Sequence, residues 1–142
     1  MRYAVDMEKE GIERIGVDLD GTLVKWYGTS SAEYVPDKLG EPIVEMVNRV
    51  KVWLSKGYEV VIFTARAHPA HTVDADIAKI AIWKWCRETF GVELEITCMK
   101  DPMMTRIYDD RAITVEKDTG RILTIGHEDD GPEIPDSLGS LL

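Results

Sequence analysis

From Tyr58 to Phe63 the chain reads Tyr-Glu-Val-Val-Ile-Phe, an apolar run rich in β-branched and aromatic residues with little alternation. Parallel sheets bury both faces of their inner strands, so a run of this kind predicts a central strand covered on both sides. A mainly parallel sheet then needs helical crossovers on either side of that strand, and the flanking sequence supplies the pattern for them.

Upstream, Ile15, Val17 and Leu19 alternate through Arg14 to Leu19 and the run breaks at the turn signal Asp20-Gly21, which predicts a first strand. Pro42 at a first helical turn, then Ile43, Met46, Val47, Val50, Trp53 and Leu54, with Gly57 as a stop, predict an amphipathic helix. Downstream of the central strand, Thr72 or Asp74 can cap a second helix that runs to about Phe90 and stops at Gly91. Ala78, Ala81, Ile82 and Trp85 make its stripe; Ile80 and Trp83 lie off it, as in a helix packed on two sides. Val92, Leu94 and Ile96 alternate with polar residues as in a strand near a sheet edge, and Thr105 to Tyr108 reads as a further short strand. Ala112 to Val115 and Arg121 to Ile125 flank the turn Lys117-Asp118-Thr119-Gly120 and predict a hairpin. Residues 24–40, rich in Gly, Ser and aromatics, read as a loop or small flap, and the acidic tail after His127 as loose. Strand, helix, strand, helix, strand, strand predicts one α/β domain over residues 1–142.

A chain of 142 residues, 44% hydrophobic, can bury a core without disulfides. Cys86 and Cys98 lack metal or redox spacing and are expected to be reduced. Early charges at Asp6, Glu8, Lys9 and Glu10 leave no apolar span for a signal or a membrane, so a soluble cytoplasmic protein is expected. The net charge of −9 opposes nonspecific binding to duplex nucleic acid but not to a small phosphorylated substrate.

In open α/β sheets the ligand sits at the carboxyl ends of the strands, where Asp18 and Asp20, Thr64, and Asp109-Asp110 are predicted to fall. Phosphoryl transfer needs an in-line nucleophile, neutralised oxygens and a proton donor for the leaving group. Asp18 can attack phosphorus with one carboxylate oxygen and ligate magnesium with the other. Asp20 can protonate the leaving alkoxide and then deprotonate water, a role that asks for a pKa above that of Asp18. Gly21 lets the backbone turn close to a phosphate, and the amides of Leu19 to Thr22 can donate to its oxygens. Thr64 offers a hydroxyl donor and Lys100 a positive charge against the repulsion between phosphate and carboxylate. Asp109 and Asp110 complete a magnesium site, one directly and one through water. Arg66, His68 and His71 follow Thr64 on a loop able to touch the rest of a substrate; without a nearby Cys or carboxylate at ligand spacing, the histidines do not suggest zinc. Trp26, Tyr27 and Tyr34 can stack on a base or pack the flap on the domain.

Asp18-Leu19-Asp20-Gly21-Thr22, Thr64, Lys100 and Asp109-Asp110, in that order, resemble the four motifs of the haloacid dehalogenase superfamily over roughly Arg14 to Val115. The resemblance implies a Rossmann-like three-layer sandwich with a minimal or absent cap, since neither cap insertion point has enough residues. It implies magnesium, Asp18 as nucleophile, Asp20 as acid/base with its backbone carbonyl on the metal, Thr64 and Lys100 on phosphate, and Asp109 as the direct ligand. Dehalogenation is disfavoured, because those members lack an acid/base Asp at the position of Asp20. The expected activity is therefore hydrolysis of a phosphomonoester, on a small phosphorylated metabolite or nucleotide. Ile107 to Arg111 also resembles a segment of deoxyribonucleotidases and polynucleotide 3′-phosphatases, which makes action on 3′-phosphorylated nucleic-acid ends the alternative.

Other readings of the acidic residues fare less well. A calcium loop would place its glycine later and a Glu where Thr29 stands. A phosphorylated receiver domain would carry the acidic pair first and the lone Asp later. A noncatalytic phosphate-binding or regulatory protein keeps the same residue types and differs only in turnover.

Overall fold

The computed structural model describes residues 13–123; the acidic tail after His127 lies outside them. The described residues include four short strands: β1 (Arg14–Val17), β2 (Glu59–Phe63), β3 (Glu95–Thr97) and β4 (Arg106–Tyr108). Two α-helices join the first three, α1 (Val44–Ser55) between β1 and β2 and α2 (Thr72–Phe90) between β2 and β3. The sheet is parallel throughout in the order β3-β2-β1-β4, with Ile15 opposite Val60, Val17 opposite Ile62 and Tyr108 opposite Val17. This is an α/β fold with β3 at one edge, as its alternating sequence predicts.

Register explains the core. Ile15 and Val17 share one face with Val60 and Ile62, and on that face lie Val47 and Val50 of α1 and Ala78, Ile82 and Cys86 of α2, all buried in one cluster. Burying a side chain of this size contributes roughly 1.5–3 kcal/mol. Both helices therefore cover the same side, as right-handed crossovers that step twice in one direction require. The opposite side carries Gly16 and Val61, and Met104, from the segment between β3 and β4, lies so close over Gly16 that a Cβ there would meet its sulfur at 2.6 Å. Among the described residues regular structure thus forms two layers, not the expected three, because only eight residues link β3 to β4 and they hold no helix.

Two local expectations are corrected. Pro42 precedes α1 and bridges Val24, while Ile43 N–H donates to the Leu23 carbonyl, so the helix starts at Val44. Neither Thr72 nor Asp74 caps α2; His71 occupies the N-cap without a side-chain bond, and the Thr72 hydroxyl donates to the Pro69 carbonyl at 3.0 Å. At its other end Gly91 takes φ +78° and closes the helix on the Arg87 carbonyl as predicted. Ile80 is exposed, and Trp83 turns its indole N–H onto the Leu94 carbonyl at 3.1 Å.

Arg14, 7% exposed, ties the sheet together by pairing with Glu59, Glu95 and Asp101. Cys86 is buried and Cys98 half-buried, and both are free thiols. The described residues up to Asp110 form one compact unit. The second begins at Arg111, and its described part is a hairpin with one antiparallel bridge, Val115 to Ile122, around a turn in which Asp118 and Gly120 have positive φ. No helix among the described residues is long and apolar enough to cross a membrane.

Candidate active site

Parallel pairing brings the carboxyl ends of β1 and β4 together, and the Asp18 N–H donates to the Tyr108 carbonyl at 2.9 Å. The residues that follow each strand, Asp18 on one side and Asp109 and Asp110 on the other, become neighbours as a result. One oxygen from each of these three carboxylates lies within 4.8 Å of the others.

Directly after Asp18 the chain folds back on itself. Leu19, Leu23 and Val24 are fully buried, and the N–H groups of Leu23 and Val24 both donate to the Leu19 carbonyl. The turn is possible because Gly21 adopts φ +86°. Thr22, 7% exposed, lies inside it with its hydroxyl 3.2 Å from Asp18 and 3.0 Å from Asp110, and accepts the Asp110 N–H at 3.1 Å. Thr22 therefore spaces the two carboxylates. The phosphate cradle expected from Leu19 to Thr22 also narrows, since Gly21 and Thr22 spend their N–H groups on the carbonyls of Val24 and Leu19.

Burial, together with the hydrogen-bonded Asp110 and the negative charge of Asp109 and Asp110, pushes the Asp18 carboxyl from 3.8 up to about 8. In this arrangement of charges Asp18 tends to hold a proton. Three converging carboxylates with no sulfur or imidazole among them are the donor set of a hard, oxygen-seeking divalent cation. A charge of that kind at their centre would relieve the crowding on Asp18.

Asp20 has a different partner. Both of its oxygens are gripped by Arg66, through Nε at 2.8 Å and Nη2 at 2.7 Å. Arg66 lies two residues beyond Thr64, which directly follows β2 and is itself 2% exposed. The Thr64 hydroxyl accepts the Arg66 N–H at 3.2 Å, leaving its own proton to donate. Arg66, expected to overhang the pocket, is instead 6% exposed and directed inward. It also donates to the carbonyls of Val35 and Pro36 and lies 4.9 Å from the Tyr34 ring. The flap aromatics are mostly occupied with one another: Trp26 and Tyr27 have centroids 4.4 Å apart, and the Tyr27 hydroxyl bonds both backbone groups of Val35.

Lys100, three residues beyond β3, is exposed and makes no hydrogen bond or ion pair among the described residues. Its neighbour Asp101 pairs with Arg14, which opens the strand that Asp18 follows. His68 accepts the Ala70 N–H within its own loop at 3.0 Å, and His71 is exposed. The structure therefore assembles Asp18, Asp109, Asp110 and Thr22 around one point, joins Asp20 to Arg66, and leaves Lys100 outside that set of contacts. The Arg66–Asp20 fork was missed in the sequence; an arginine two residues after a strand-end threonine is its only sequence trace.

No family model, no curated protein and no solved structure matches this chain.

Proposed function

We propose that the protein is a magnesium-dependent phosphomonoester hydrolase of the haloacid dehalogenase type, acting through an aspartyl-phosphate on Asp18. The observation that carries the reading is the convergence of Asp18, Asp109 and Asp110 at the ends of adjacent parallel strands, with Asp20 two residues beyond the first. Motif order and the α/β sheet support it as well.

Asp18, Asp109 and Asp110 would hold the magnesium ion, which supplies positive charge to the phosphate oxygens and keeps Asp18 ionised. In the first step an Asp18 carboxylate oxygen bonds to phosphorus, the ester P–O bond breaks, and the leaving alkoxide takes a proton from Asp20. In the second, Asp20 accepts a proton from water, the water oxygen bonds to phosphorus, and the bond to Asp18 breaks to release phosphate. Thr64 would donate its free hydroxyl proton to a phosphate oxygen. Lys100, exposed three residues beyond β3, would add positive charge beside the phosphate.

The substrate class is a small phosphorylated metabolite or nucleotide. Phosphate release measured over nucleotides, sugar phosphates and a 3′-phosphorylated oligonucleotide, with and without magnesium, tests the reading. Turnover of a small ester that needs magnesium supports it, and preference for the oligonucleotide selects the 3′-phosphatase alternative. Absence of turnover throughout selects a noncatalytic phosphate-binding protein.

A further inference from the structure

The Arg66 side chain is 2% exposed while its partner Asp20 keeps 22% of its side chain open to solvent. Four of its five N–H donors are committed: two to the separate oxygens of Asp20, at 2.8 and 2.7 Å, and two to the flap carbonyls of Val35 and Pro36, at 3.3 and 3.0 Å. Its planar face lies 4.9 Å from the Tyr34 ring and 6.0 Å from that of Tyr27, both of the flap. A side chain so enclosed has one N–H left uncommitted. What it touches is the acid/base candidate at one end and the flap at the other.

We propose that Arg66 is a positioning residue that fastens the flap over residues 24–40 to the carboxylate of Asp20. Orientation of the acid/base and closure of the flap are then a single structural event. The chemical consequence rests on the hydrolase reading, whereas the coupling itself does not. Only a planar fork can bind both oxygens of Asp20 and two carbonyls at once, so lysine at this position keeps the charge and loses the geometry. Asp20→Asn removes the charge that the fork grips.

Two readouts on Arg66→Lys and Asp20→Asn test the proposal. The first is hydrogen exchange at the flap amides of Val35 and Lys38, against those of Val60 to Ile62 in β2 as an internal reference. Either variant is expected to raise flap exchange by about tenfold with β2 unchanged, since flap opening is a local rather than global event. Unchanged flap exchange overturns the coupling, and an equal rise in flap and β2 makes Arg66 a general structural residue, which also overturns it. The second readout compares an alkyl phosphate with 4-nitrophenyl phosphate, whose leaving group needs no proton. In Arg66→Lys the fall in kcat should be about tenfold larger for the alkyl ester, with KM little changed, because only that ester depends on a well-aimed acid. Equal losses on both esters overturn the positioning role. Should the wild-type protein turn over neither ester, the hydrolase reading falls and the exchange result alone decides the coupling.

Discussion

A Cβ placed on Gly21 would stand 2.6 Å from Oδ2 of Asp110, on a residue 89 positions away in the chain. The missing side chain thus makes room for a carboxylate of the three-Asp cluster, in addition to allowing φ +86° in the turn.

Gly21→Ala is therefore expected to harm cation binding more than folding. The left-handed backbone costs about 1–2 kcal/mol with a Cβ, and Asp110 must also move off its place beside Thr22. Isothermal titration with magnesium should show affinity reduced by about tenfold, roughly the effect of displacing one group around a metal. Unchanged affinity would mean that Asp110 does not contribute to the site.

Asp18 should make the cation-free protein less stable as pH rises. Its folded pKa of about 8 lies above the ordinary 3.8, so between those values the folded state holds a proton that the unfolded state has lost. This contribution is fully present below about pH 4 and disappears as pH rises through about 8. Urea unfolding across that window should show a downward slope that Asp18→Asn flattens and magnesium reverses at the alkaline end. A slope identical in Asp18→Asn would place its origin in other groups.

The two thiols should react very differently. Burial pushes the Cys86 thiol up to about 11, and a buried neutral thiol is a poor nucleophile, whereas Cys98 is half-buried. A thiol-disulfide reagent at pH 8 should modify Cys98 in the native protein and Cys86 only after denaturant is added. Rapid native modification of both would contradict the packing of α2 against the sheet.

Much of the fold was legible because local signals and burial agree. The unbroken apolar run before Thr64 is the inner strand β2, the alternating run before Cys98 is the edge strand β3, and Gly57 and Gly91 follow the ends of the two helices with positive φ. What was not legible depends on distance in three dimensions. Pro42 looks like a helix start until its bridge to Val24 is known. At the site, the convergence of Asp18 with Asp109 and Asp110 could be anticipated from strand ends. The commitment of Thr22 to two carboxylates and of Arg66 to Asp20 could not, because a hydroxyl or guanidinium at a strand end serves protein and ligand equally well.

The central claim is that Asp18 carries the phosphoryl group. Protein incubated with magnesium and 4-nitrophenyl phosphate, whose leaving group needs no proton from Asp20, then quenched in acid and reduced with borohydride, should yield a modified residue at position 18 by peptide mass spectrometry. The account predicts that label in the wild type, more of it in Asp20→Asn, where the second step lacks its base, and none in Asp18→Asn. A label on another residue, or phosphate release that persists undiminished in Asp18→Asn, would contradict it.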